Sequence, residues 1–141
     1  LTITDKRMTR FMITLEQGVK LVWHAFENMC GGEIYVKKIP SMSIIDIAKA
    51  VAPEARLKII GIRPGEKIHE QMIGLEDSPN TYEYADHYKI LPVIHNWSSD
   101  PKRINGGVKV AEDFMYASDN NSEWMSVDQL RAWIKSHQST I

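Results

Sequence analysis

Apolar side chains recur at steps of four and three over Leu15, Val19, Val22, Phe26 and Met29, the spacing of one face of an α-helix. Thr14-Leu-Glu-Gln17 precedes them as a capping box and Gly31-Gly32 follows as a stop, so the pattern predicts an amphipathic helix of about four turns. Glu33-Ile-Tyr-Val36 predicts a short strand that ends before Pro40. Ser43, with Asp46 three residues on, opens a second helix whose Ile44, Ile47, Ala48 and Val51 share a face until Pro53. Leu57 to Ile62 reads as an apolar strand. Helix, strand, helix, strand favours an α/β layer arrangement over a bundle or an all-β sandwich.

Arg63-Pro-Gly-Glu66 cannot continue that strand, because Pro64 lacks an amide donor and Gly65 admits a sharp turn. A short helix from Glu66 to Ile73, stopped by Gly74, is the simplest continuation. Leu75 to Gly107 is the least regular stretch, with short strands expected around Tyr82 and Ile90. Ser126 with Gln129 makes a third capping box, and Val127, Leu130 and Ile134 give the last helix its apolar face. The 141 residues are expected to form one domain, residues 1–141, without internal repeats.

Composition narrows the function classes. Seventeen Lys and Arg against 18 Asp and Glu leave a net charge of −1, which argues against a broad electrostatic grip on nucleic acid. The longest stretch free of charged residues, Ile90 to Ser99, contains Pro92, His95 and Asn96 and cannot cross a membrane. Cys30 is the only cysteine, which excludes an internal disulfide and a thiolate-rich zinc site. It reads as a small buried apolar group at a helix end, in a reducing cytoplasm. The chain opens on Leu1 with no signal-peptide pattern after it, and is expected to be part of something longer.

The most informative local string is Gly61-Ile-Arg-Pro-Gly-Glu-Lys67. A cation and free amides at the carboxyl end of a strand suit a phosphate-like anion. The same string equally suits a pairing of Arg63 with Glu66. Asp5-Lys-Arg-Met-Thr-Arg10 is a second basic cluster that could bring another guanidinium to the same anion. Arg7 and Arg10 share a face there only if the segment is helical. His69-Glu70 resembles the start of a zinc-protease helix, but Ile73 stands where the second His belongs, so the metal reading fails. His24, His87, His95 and His137 lack partners at ligand spacing, and the four Trp residues are too dispersed for an aromatic platform. The hydroxyls of Tyr82, Tyr84 and Tyr88 are left without an assigned role. There is no Gly-x-Gly-x-x-Gly before a helix and no Tyr followed four residues later by Lys.

Four strings carry a family resemblance: Thr4-Asp-Lys-Arg-Met-Thr-Arg-Phe11, Gly31-Gly-Glu-Ile-Tyr-Val-Lys-Lys-Ile-Pro-Ser-Met42, Ile60-Gly-Ile-Arg-Pro-Gly-Glu-Lys-Ile-His-Glu70 and Ser118-Asp-Asn-Asn-Ser-Glu-Trp124. With them the chain resembles the carboxyl-terminal part of the inverting UDP-N-acetylglucosamine 4,6-dehydratases, densely to Met72 and loosely after it. These are bacterial lyases of the extended short-chain dehydrogenase type, from pseudaminic-acid and related surface-sugar pathways. The resemblance implies a nucleotide-sugar-binding α/β lobe lacking the Rossmann domain that holds NADP. Their reaction oxidises C4 of the sugar, eliminates water across C5 and C6, and returns the hydride to C6 with inversion at C5. Carried onto this sequence, Arg10 and Arg63 would grip the diphosphate of UDP-GlcNAc, Glu66 would hydrogen-bond the ribose, and Thr9 would serve as a neighbouring hydroxyl donor. Met12, where the family often carries an aromatic residue, is a small departure. No catalytic, cofactor-binding or metal-binding residue is expected in the chain, and it is expected to be inactive alone. Apolar faces left bare are expected to be covered by the missing half or by self-association into a homo-oligomer. The alternative is a stand-alone, non-catalytic nucleotide-sugar binder or assembly module.

Overall fold

A computed structural model describes residues 1–138 and gives a mixed α/β fold. In chain order the elements are β1 (Thr2–Ile3), β2 (Thr9–Phe11), α1 (Leu15–Asn28), β3 (Ile34–Lys37), β4 (Ser41–Ser43), α2 (Ile44–Val51), β5 (Lys58–Ile59) and β6 (Gln71–Ile73). They continue with β7 (Thr81–Glu83), β8 (His87–Ile90), α3 (Pro101–Ile104), β9 (Val108–Lys109), β10 (Tyr116–Ala117) and α4 (Val127–Gln138). Contacts divide these elements between two compact units.

The first unit comprises, among the described residues, Leu1–Met12, Pro40–Glu70 and residues 117–138. Here β2 pairs antiparallel with β4, setting Thr9 opposite Ser43 and Arg10 opposite Met42. The strand then turns directly into α2, because the Ser43 hydroxyl accepts a hydrogen bond from the Asp46 amide at 3.1 Å and caps the helix. Helix α4 packs against α2 over a core of Met42, Ala50 and Leu130, with Trp133 and Ile134 alongside. Both sides of the predicted third capping box are present: the Gln129 backbone amide donates to the Ser126 hydroxyl, and the Ser126 backbone amide to Gln129 Oε1.

Two sequence expectations between residues 57 and 73 fail, one at a turn and one through competition for backbone groups. The strand expected over Leu57 to Ile62 shrinks to β5, which pairs with the two-residue β1, and Gly61 at φ 87° turns the chain away. The helix expected from Glu66 to Ile73 does not form. The Ile68 carbonyl accepts instead from the Thr9 amide at 3.1 Å and from Arg10, and residues 71–73 are extended as β6.

The second unit comprises Ile13–Ile39 and Gln71–Tyr116. Its sheet has the order β3-β8-β7-β9, antiparallel throughout, so the expected strands at Tyr82 and Ile90 are present. The Tyr82 hydroxyl donates to the Ser98 carbonyl and the Tyr84 hydroxyl to the Ile104 carbonyl. Helix α1 has the predicted capping box. Its apolar stripe, however, is bare: Leu15 is 86%, Trp23 64% and Phe26 62% exposed, around an open groove of about 590 Å³. Cys30 is also exposed rather than buried. The helix ends at Asn28, and the chain beyond it is held by the Glu33 carboxylate, which accepts from the Cys30 and Gly31 amides at 2.9 and 2.7 Å.

Met42→Ala, at a fully buried position, is expected to cost ~2–5 kcal/mol in urea denaturation, whereas Leu15→Ala is expected to stay within ~0.5 kcal/mol. Equal losses would contradict the assigned core. The Lys49 ammonium and then the Ser43 hydroxyl hold the Asp46 carboxyl below its usual range. A depressed folded value gives stability that is present above the unfolded pKa and is lost as pH falls through the folded one. Acid unfolding below about pH 4 is therefore expected to be shallower in Asp46→Asn.

Candidate functional site

Within the first unit, Arg63-Pro-Gly-Glu66 closes as a tight turn in which the Glu66 amide donates to the Arg63 carbonyl at 3.1 Å. Pro64 and Gly65, the latter at φ 80°, occupy the two central positions that a type II turn assigns to those residues. The Glu66 carboxylate is engaged on both oxygens. Oε2 accepts from the Arg63 amide at 3.1 Å and Oε1 from the Thr4 hydroxyl at 3.1 Å. The carboxylate thus reaches Arg63 through its backbone, and the guanidinium stays exposed without a hydrogen bond or ion pair among the described residues.

Arg10 is placed differently. Its Nη1 donates to the carbonyls of Thr9 at 2.7 Å and Ile68 at 3.0 Å, and its Nη2 to the Lys67 carbonyl at 3.1 Å. Nε lies 3.6 Å from Glu70 Oε1. The planar fork therefore ties β2 to the segment that follows the Arg63 turn. Arg7, in the same basic cluster, is held by Asp5 through Nε at 3.0 Å and Nη2 at 2.8 Å; that pairing keeps the Asp5 carboxyl well below the usual range.

Thr9 is buried, and its hydroxyl lies 2.8 Å from His69 Nδ1 and 2.6 Å from the Ser118 hydroxyl. The Glu70 amide donates to Ser118 Oγ at 2.9 Å. One direction of donation satisfies every group: Ser118 donates to Thr9, and Thr9 donates to an unprotonated His69 Nδ1. The imidazole proton then sits on Nε2, 3.8 Å from Asp119 Oδ2. Sequence reasoning weighed His69 only as a metal ligand and gave Ser118 and Asp119 no role. The signal was present, since His69 lies in the string that carries Arg63 and Glu66, and Ser118 and Asp119 open the fourth family string.

Of the four expected ligand residues, Arg63 and Glu66 share one turn, while Thr9 and Arg10 sit on β2 and reach that segment through His69 and the carbonyls of residues 67 and 68. Among the described residues no cluster of His, Cys, Asp and Glu could hold a metal ion. Thr9→Val, which keeps the shape and deletes the hydroxyl, leaves buried polar partners unpaired and is expected to cost ~1–3 kcal/mol. Thr9→Ser should restore most of that loss, and Arg63→Ala should stay within ~0.5 kcal/mol. An equal loss for Thr9→Val and Arg63→Ala in urea denaturation would contradict this division.

Residues 1–92 match the polysaccharide biosynthesis protein family. Over 135 residues the chain is 53% identical to a UDP-N-acetylglucosamine 4,6-dehydratase (inverting) of Campylobacter jejuni, covering 92% of this chain and 40% of that protein. It is 38% identical over 124 residues to a UDP-glucose 4-epimerase of Rickettsia canadensis, covering 85% of this chain and 36% of that one. Among solved structures, Pen from Bacillus thuringiensis superimposes with a TM-score of 0.76 at 30% identity, over 98% of this chain and 40% of its own. The chain spans about 40% of the length of the inverting dehydratases it resembles. With a match over its first 92 residues, the chain belongs to the polysaccharide biosynthesis protein family.

Proposed function

We propose that the chain is the substrate-binding portion of an NADP-dependent, C5-inverting UDP-GlcNAc 4,6-dehydratase, working as one lobe and supplying sugars for surface polysaccharide or flagellin. The observation that carries this reading is the unpaired Arg63 guanidinium at the tip of a rigid turn, beside a carboxylate held in place by Thr4 and the Arg63 amide. A free fork of donors is what a diphosphate requires. Glu66 presents the acceptor for ribose hydroxyls. Arg10 and Thr9 serve the same ligand from β2 without leaving their own partners: Arg10 sets the backbone on which the turn stands, and Thr9 fixes His69 beside it.

The chain's own residues do not fit a dinucleotide cofactor. The starts of α1, α2 and α4 lack a glycine-rich loop, and each offers amide donors already capped by Thr14, Ser43 or Ser126. Hydride transfer and the removal of water therefore fall outside the role proposed for these residues, which is to bind and orient a UDP-sugar. A second reading, an assembly module, is favoured by one observation, the bare stripe of α1.

Calorimetric titration of the 141-residue chain with UDP, UDP-GlcNAc and NADP tests the proposal. Saturable binding of the two uridine ligands and none of NADP is expected, with Arg63→Ala weakening binding by ~10–100-fold for the loss of a charged hydrogen-bonding fork. No binding of either uridine ligand at millimolar concentration would favour the assembly reading. Sedimentation would then show self-association that Trp23→Glu abolishes.

A further inference from the structure

The second unit contains a small polar pocket, half open to solvent, with no counterpart in the site above. Tyr35 on β3, His87 and Lys89 on β8, Tyr84, and His24 and Asn28 on α1 line a cavity of about 100 Å³, room for about three waters at ~30 Å³ each. Lys89 is only 3% exposed. Its Nζ donates once, to the Arg103 carbonyl at 2.7 Å, and lies 4.9 and 5.4 Å from the ring centres of Tyr84 and Tyr35. Nζ has no carboxylate at ion-pair distance among the described residues. The acid that acts on it, Glu33, is engaged by the Cys30 and Gly31 amides and faces Arg103 Nε at 3.8 Å. A buried ammonium thus keeps two unused donors.

Tyr35 sharpens the case. Its hydroxyl is fully buried and has no hydrogen-bond partner, a costly arrangement unless something else fills the role. His87 completes the inventory. It is 6% exposed, and its ring stacks on Tyr84 at 4.6 Å. Burial pushes its pKa down, and the ionised Asp86 carboxylate 2.9 Å from Nδ1 can only accept. The ring proton therefore sits on Nδ1, and Nε2 is left as an acceptor. No carboxylate lines the cavity.

Donors on Lys89 and Tyr35, an acceptor on His87 and a small volume call for a compact anion that also carries a proton. We infer that the pocket formed by Tyr35, His87 and Lys89 binds a small hydroxyl-bearing oxyanion of the size of hydrogen phosphate. Its oxygens would accept from Lys89 and Tyr35, and its hydroxyl would donate to His87. Sulfate has the same shape and charge but no proton to give near neutral pH.

Thermal unfolding of the full chain, slightly above neutral pH and at matched ionic strength, compares phosphate with sulfate. Wild type is expected to show a saturable rise in Tm with phosphate and a smaller one with sulfate. Tyr35→Phe, which removes only the buried hydroxyl, should be at least as stable as wild type without phosphate and should need at least about tenfold more phosphate for the same rise. Lys89→Met should abolish the phosphate response. Equal effects of phosphate and sulfate on wild type, or an undiminished phosphate response in Tyr35→Phe, would overturn the inference. So would a Tyr35→Phe variant that is destabilised without phosphate while wild type ignores phosphate, the pattern of a buried water.

Discussion

One guanidinium decides how the first unit is built. Arg10 donates to the carbonyls of Thr9, Lys67 and Ile68, and the Thr9 amide takes the Ile68 carbonyl as well. A segment whose carbonyls are claimed from outside cannot also close its own i to i+4 ladder. Residues 66–70 are therefore held open, and the Arg63 turn projects at their start. The hydroxyl of Thr9, aimed the other way from the same strand, fixes His69 and Ser118 and completes the seam. Arg10 is thereby committed to the backbone, and in the proposed function ligand recognition falls to Arg63.

Local patterns in the sequence account for much of this. The capping boxes at Thr14 and Ser126 and the Ser43 cap are short-range signals, and the helices begin where they say. The turn at Pro64 and Gly65 is equally local. What the sequence could not carry was competition across the chain. Nothing near Glu66 announces that Arg10, more than fifty residues earlier, takes the carbonyls a helix would need. The burial of Thr9 against Ser118 likewise joins residues 109 positions apart. The four family strings did hold these partners, but their meaning is spatial: three of them converge in one unit through Thr9, His69 and Ser118.

Helix α1 shows the opposite limit. Its heptad-like spacing was legible and its helix is present, yet the face that the spacing marks as apolar is not buried against anything within its own unit. Periodicity states that a surface is built to be covered, not what covers it. The chain spans about 40% of the length of its curated relatives, and in the proposed function such a stripe is where the rest of an assembly would sit.

The central claim is the division of labour between Arg63, which meets the ligand, and Arg10, which holds the backbone. Side-chain NMR of the arginine Nε–H groups during titration with UDP reads both residues at once. The account predicts a saturable shift of the Arg63 resonance while the Arg10 resonance stays in place, and a shift of Arg10 with Arg63 unmoved would contradict it.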